Sequence, residues 1–239
     1  MSSIKHNISV SPQDVYNIST TTQGTDLGAY ATTGDGRVFR YCKVGGATLV
    51  PGTVVQAPVE VTANQNLTLV AASAGAKSLT FADSLTVAAN ALTGGYVATT
   101  TGAGYGYQYK ISGNAACTAS SLTVTLEDPI IVALTTASRA DVTASQFNGV
   151  IINPTTQTGT PLGVAVAAIP SASFGWIQSH GPANVTASGA LTVGLAVAPS
   201  VGTAGNVVLS TSAITTPVIG VAVTGVAANE SGLVFLEID

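Results

Sequence analysis

The chain has 239 residues, a formal net charge of −4, 46% hydrophobic residues and only 8% charged ones. Soluble domains average about 25% charge, so much of this surface must be Thr, Ser, Asn, Gln, Gly and Ala. Abundant Val, Ile and Leu argue against disorder. With seven Lys plus Arg and no basic cluster, the chain lacks the phosphate-neutralising footprint of a nucleic-acid binder. No apolar run approaches the roughly 18 residues of a spanning helix. The start, Met1 to Ile8, lacks the apolar core of a signal peptide. A soluble protein made in a cytoplasm, with no nucleic-acid or membrane partner, is expected.

Residues 1–26 are polar and rich in Thr and Ser, and read as an N-terminal arm. Within it, Ser11-Pro12-Gln13-Asp14 has the pattern of a helix start and predicts one or two turns through Ile18. Strand signals then dominate. Arg37, Phe39 and Tyr41 share one face. Tyr105, Tyr107, Tyr109 and Ile111 alternate with small or polar residues, and Leu122, Val124 and Leu126 alternate with Thr. A short helical turn is expected within Ser138 to Phe147, where the strand rhythm breaks. Leu191, Val193, Leu195 and Val197 predict a strand with one apolar face. Val234, Leu236 and Ile238 predict another, with Phe235 and Glu237 opposite.

Turn clusters separate these runs: Gly34-Asp35-Gly36, Gly45-Gly46, Pro51-Gly52, Gly94-Gly95, Gly113-Asn114 and Gly202 to Gly205. The fold class is therefore all-β, with short antiparallel strands in sandwich- or barrel-like domains and very little helix. The expected division is an arm (1–26), a β domain (27–135) and a second β domain (136–239). A weak repeat lies in the last part. Thr160-Pro161-Leu162-Gly163-Val164-Ala165-Val166 resembles Thr216-Pro217-Val218-Ile219-Gly220-Val221-Ala222-Val223. Gly163 and Gly220, like Gly175 and Gly232, stand 57 residues apart. Two similar β units is one reading; convergent hairpin composition is the other.

Catalytic and metal-binding chemistry finds few candidates. Of the two histidines, His6 lies in the arm. His180 follows Ser179, but strand neighbours point to opposite sides, so they form no dyad. Cys42 and Cys117 with two distant histidines fit no zinc spacing, and whether the cysteines pair is open. Gly34-Asp35-Gly36 reads as a turn. Glu127-Asp128-Pro129 places its carboxylates on opposite faces, which a glycosidase pair would not do. Gly102-Ala103-Gly104-Tyr105-Gly106 is glycine-rich but precedes no helix that would bind pyrophosphate. No catalytic residue, metal ligand or cofactor site is expected. Edge strands so poor in charge are a liability in a free monomer, which favours a subunit whose surface is covered.

Several segments resemble tailed-phage virion proteins. They are Asp35-Gly36-Arg37-Val38-Phe39-Arg40-Tyr41, Gly45-Gly46-Ala47, Pro51-Gly52 and Gly104-Tyr105-Gly106-Tyr107-Gln108-Tyr109-Lys110-Ile111. Leu126-Glu127-Asp128-Pro129-Ile130, Gly163-Val164-Ala165, Phe174-Gly175-Trp176-Ile177-Gln178 and Leu233-Val234-Phe235-Leu236 complete the set. Across most of 27–239 the chain resembles the head decoration (capsid cement) proteins of tailed bacteriophages and similar virion proteins. The resemblance implies a non-enzymatic role on the capsid surface, bridging the major capsid protein. It also implies a homo-oligomer, trimer or dimer. The residues expected to touch the capsid are Ile4, Ile8 and Tyr16 in a mobile arm, and Trp176, Gln178 and His180 in a loop. Core packing is the competing reading of Trp176. The alternatives are a β-rich head fibre or carbohydrate-binding adhesin, and an enzyme such as a glycan hydrolase.

Overall fold

The computed structural model describes residues 8–211 and 216–239. The chain is almost wholly β, as its alternation predicts, and it divides into two compact units. The first comprises residues up to Val59 and from Gln146 onward; the second is the continuous stretch Glu60–Ser145. This differs from two consecutive domains meeting near residue 135. The second unit is an insertion. Pairing of the strands on either side of it, Ile151 with Gln56 and Ile152 with Val55, holds the first unit together across the gap.

Before the insertion come β1 (Ile8–Ser9), β2 (Tyr30–Thr32), β3 (Val38–Val44) and β4 (Val54–Gln56). The inserted unit carries β5 (Leu67–Thr68), β6 (Ser78–Val87), β7 (Tyr96–Thr101), β8 (Gln108–Asn114), β9 (Cys117–Leu126) and β10 (Arg139–Thr143). After it follow β11 (Asn148–Ile152), β12 (Pro161–Ala165), β13 (Phe174–Thr186), β14 (Ala196–Pro199), β15 (Val207–Leu209), β16 (Gly220–Ala222) and β17 (Ser231–Glu237).

In the inserted unit the six strands run in the order β5-β10-β7-β8-β9-β6. A bridge between Leu69 and Phe81, with Val70 N–H donating to Thr80 O at 2.9 Å, joins the two outer strands. The sheet closes into a barrel around Leu69, Leu79, Phe81, Ile111, Leu122, Val124 and Leu126. The helical turn expected within 138–147 is instead β10. Ala140 and Val142 alternate into this core, and burial overrides the local signal.

The larger unit contains two further closed rings. In barrel A, β3, β11, β4, β12 and the first half of β13 pair in turn, and β13 pairs back to β3. In barrel B, the second half of β13 pairs with β17, then β16, β14 and β15 follow. A parallel bridge from Val207 to Ala187 closes this ring. The long strand β13 is shared by both.

The two barrels are one unit used twice. Val164 opposite Gln178 in A corresponds to Val221 opposite Phe235 in B, each residue 57 positions on. The hydrogen bonds repeat as well. Gly52 N–H to Ala165 O (2.9 Å) matches Gly194 N–H to Ala222 O (2.8 Å), and Gly45 N–H to Val150 O (2.8 Å) matches Ser188 N–H to Val207 O (2.9 Å). Ala172 and Asn229, also 57 apart, both take left-handed backbone, with φ of 61° and 65°. The core of A uses Cys42, Leu49, Val55, Val150, Leu162, Ala165 and Ile177. In the same places the core of B has Val185, Leu191, Val197, Val207, Ile219, Ala222 and Val234. The sequence repeat was thus the visible half of a larger duplication. Its first half, β3 and β4, is cut off from the rest by the insertion.

Closure changes the edge argument. A closed barrel has no free edge to protect, so sparse charge is tolerable here without an external cover.

The N-terminal arm, from residue 8, lies on barrel A. Ser19 and Phe174 exchange backbone hydrogen bonds of 3.0 and 2.8 Å. Val15 is buried with Phe39, Tyr41, Phe174 and Trp176. The expected helix shrinks to one 3-10 turn, Asp14–Tyr16, where Asp14 N–H donates to Ser11 O. The Leu191–Val197 strand is also broken. Leu195 N–H turns back to Thr192 O and Gly194 has a φ of 81°. Leu191 and Val197 therefore point inward while Val193 and Leu195 point out.

Both cysteines are unpaired and buried, Cys42 inside barrel A and Cys117 in the inserted barrel. Burial pushes the Cys42 thiol up to about 12, and the thiolate is the reactive form. A colorimetric thiol assay at mildly alkaline pH should find almost no fast-reacting group in native protein and two per chain in denaturant. Fast labelling abolished by Cys42→Ser would contradict this packing.

Candidate protein-docking surface

The residues predicted to make contact separate in the structure. Ile4, like His6, lies outside the described residues. Ile8 on β1 and Tyr16 in the 3-10 turn are exposed. Trp176 is buried on β13, edge-on to Tyr41 with ring centroids 5.0 Å apart, so core packing is its main role. The expected loop around Trp176, Gln178 and His180 is the middle of this strand. Gln178 is buried, and its amide donates to the carbonyls of His180 (3.0 Å) and Pro182 (2.9 Å). That capping holds the strand where it passes from one barrel to the next.

Two of the predicted residues do meet. Ile8 and the rim of Trp176 line a shallow groove of about 500 Å³ with Asp14, Ile18, Thr25 and Tyr41. The groove is mainly apolar, and the chain's own arm builds one wall.

His180 is half-buried. Its ring stands edge-on to Phe235 at 5.2 Å, and its Nδ1 lies 3.1 Å from the Asp239 carbonyl oxygen. The Ser179 hydroxyl donates to Val38 O at 3.5 Å and also faces the Asp239 carboxyl. The pair has no nucleophile–base geometry. Nearby, Arg40 grips Asp239 with two hydrogen bonds of 2.7 and 3.0 Å and lies 4.8 Å over the Tyr30 ring. Burial raises the Asp239 carboxyl, but hydrogen bonds from Arg40 and Ser179 and the Arg40 charge outweigh it and leave the group lowered. This is a structural tie between β3 and the end of β17. Among the described residues, no group of three or more His, Cys, Asp or Glu is placed to hold a metal ion.

What the sequence reading missed is the outside of barrel B. Val193, Leu195, Val223, Leu233 and Phe235 are all exposed there. Val223 and Leu233 are joined by Val223 N–H to Leu233 O at 2.8 Å, and Phe235 lies opposite both Val221 and Pro182. They form a continuous apolar stripe on neighbouring strands. The signal was present in Leu233 and Phe235, whose alternation with Val234 and Leu236 assigns them the outward face. A second exposed cluster caps the inserted barrel. Tyr105 and Tyr107 sit in the turn before β8, with Tyr107 stacked on Tyr109 at 6.4 Å.

Comparison with known proteins finds no matching family model, no matching curated protein and no matching solved structure. No helix among the described residues is long and apolar enough to cross a membrane.

Proposed function

We propose that this chain is a non-enzymatic virion structural protein that binds the outside of a capsid lattice and bridges major capsid subunits. The observation that carries the reading is the continuous apolar stripe on barrel B. Exposed contiguous apolar surface on a folded protein marks an interaction site. The motif resemblance to tailed-phage head decoration proteins supplies the identity of the partner. Closed barrels with few charges suit the task, because binding spread over rigid β faces resists an outward load without any moving part.

The groove at Ile8 and Trp176 is a second contact in this reading, presented by an arm already folded on its own barrel. Because the described arm is ordered, docking costs less entropy than folding a disordered tail would. The test is reconstitution on expanded capsids lacking the protein. Saturable binding and a higher capsid melting temperature are expected. Absence of binding, with no change in capsid stability, would sink the proposal.

One observation favours a carbohydrate-binding adhesin instead: the tyrosine cap on the inserted barrel, since exposed aromatic rings offer a flat apolar platform. Specific hits on a glycan array, lost in Tyr105→Ser, would move the assignment there.

A further inference from the structure

The loop from β11 to β12 opens with Asn153-Pro154. After most asparagines, the next backbone nitrogen can attack the side-chain carbonyl and deamidate it. Proline has no N–H, so that route is closed at residue 153. What remains is the reverse attack, by the side-chain amide nitrogen on the main-chain carbonyl carbon. That attack severs the chain.

The fold sets out the groups for it. Asn153 is 1% exposed. Its backbone is pinned on both sides of the reacting carbon. Its N–H donates to Val54 O at 3.0 Å, and its carbonyl oxygen accepts from Gly205 N–H at 2.8 Å. The second bond lies where negative charge gathers on the oxygen during attack. A Cβ at residue 205 would stand 2.8 Å from Ile152 and 2.9 Å from Thr53, on backbone with a φ of 75°, so glycine is what brings this donor so close. Asn153 Nδ2 donates to Pro154 O at 3.0 Å, which holds the nucleophile on the leaving-group side of the bond. Asn153 Oδ1 is buried and meets no donor among the described residues, so the amide is held by its nitrogen end alone. Beyond Pro154 the chain can withdraw, because Thr155 and Thr156 are exposed.

The duplication separates this chemistry from the needs of the fold. Residue 153 corresponds to Ser210, 57 positions on. Ser210 N–H makes the matching bond to Ala196 O at 2.8 Å. Barrel B has Ser210-Thr211 where barrel A has Asn153-Pro154. The ladder therefore forms without either residue.

We propose that the Asn153–Pro154 bond cleaves itself by asparagine cyclisation. Asn153 Nδ2 bonds to its own carbonyl carbon, the bond from that carbon to Pro154 N breaks, and one Nδ2 proton passes to the proline nitrogen. The products are a succinimide at the end of residue 153 and a free secondary amine on Pro154. Nothing is oxidised or reduced, and water enters only later, to open the imide. The cut leaves β11 paired with β3 and β4, and β12 paired with β4 and β13. Gln56 Nε2 also holds Thr158 Oγ1 at 2.8 Å, so both pieces stay in one barrel. Each chain reacts once, which makes it no enzyme. The inference stands apart from the virion reading, and either can fail alone.

The test is the mass of the full chain, read in denaturant after increasing times of folded incubation at mildly alkaline pH. The wild type should lose intact mass and give two pieces, 1–153 and 154–239. Early in the reaction their masses should sum to that of the parent, with no water added. Asn153→Ser and Pro154→Thr, each copying barrel B, should slow the cut at least about tenfold, while Trp176 fluorescence reports an intact fold. Wild-type chain kept unfolded at the same pH should also cut at least about tenfold more slowly, because the orientation is lost. A wild-type chain that stays whole would overturn the inference. So would a cut that persists at full rate in Asn153→Ser, the mark of a protease, or one as fast in the unfolded chain.

Discussion

Gly220→Ala should destabilise the protein by about 3 kcal/mol, and Gly163→Ala should do nearly the same. The two glycines occupy matching places in barrels B and A, on strands that cross a neighbour at very short range. A Cβ at residue 220 would stand 2.0 Å from the Phe235 carbonyl oxygen; one at residue 163 would stand 2.4 Å from that of Gln178. The obstacle in both cases is backbone of the paired strand, which cannot swing aside as a side chain can. Relief requires parting β16 from β17, or β12 from β13, and each of those pairings belongs to a closed ring. Gly46→Ala is the control, because nothing lies within 4 Å of its Cβ and its φ is not positive, so its cost should stay within about 0.5 kcal/mol. Chemical denaturation of the three variants decides the matter. Matched losses at residues 163 and 220 are the mark of a true structural duplication. Loss at one site alone would show that the two barrels carry load differently.

Phe81→Ala should cost about 4 kcal/mol, confined to the inserted unit. Phe81 is fully buried, and it makes the bridge to Leu69 that joins the outer strands of the sheet. Its removal leaves a cavity at the seam of the ring. Every member of its core cluster lies between Leu67 and Ala144. The sole tryptophan, Trp176, lies in the other unit, so fluorescence reports that unit alone. Tyrosine circular dichroism draws mainly on Tyr96, Tyr105, Tyr107 and Tyr109 in the insertion, with Tyr16, Tyr30 and Tyr41 of the other unit adding a smaller share. The Phe81→Ala change should lower the tyrosine-detected midpoint and leave the tryptophan-detected one in place. A common shift of both would contradict two separate cores.

How much of this was readable in the residues depended on periodicity. Leu122, Val124 and Leu126 alternate strictly, and they are the core of β9. Val234 and Leu236 gave the inward face of β17, and by the same token Leu233 and Phe235 the outward one. Where turns interrupt the alternation the reading failed. Gly194 reverses the chain between Leu191 and Val197, so one apparent apolar face became two. Ser138 to Phe147 looked like a break because its polar residues are many, yet Ala140 and Val142 are enough to seat a strand in the core. The insertion left no compositional trace, since both units use the same Thr-, Ala- and Gly-rich vocabulary. The repeat was half legible for the same reason. Gly163 and Gly220 survive as a matched pair because sterics forbid anything larger. The matching of β3 with the second half of β13 rests on Cys42 against Val185 and Val44 against Ala187, identities too loose to see before the register is known.

The same physics separates the candidate contacts. Trp176 and Gln178 stood out as unusual residues in a plain sequence. They are unusual because they solve internal problems, one filling the space under the arm and the other capping the carbonyls of β13. The surface that presents apolar area is built from Val, Leu and a single Phe, which in sequence look like any other strand.

The central claim is that these tandem barrels work by holding a capsid lattice together. The most direct measurement is an electron cryomicroscopy map of the intact particle. The account predicts density for paired small barrels at a fixed ratio to the major capsid protein, seated on the outer shell between neighbouring subunits. Density confined to the tail or to sparse projecting fibres, or no copies in the particle at all, would contradict it.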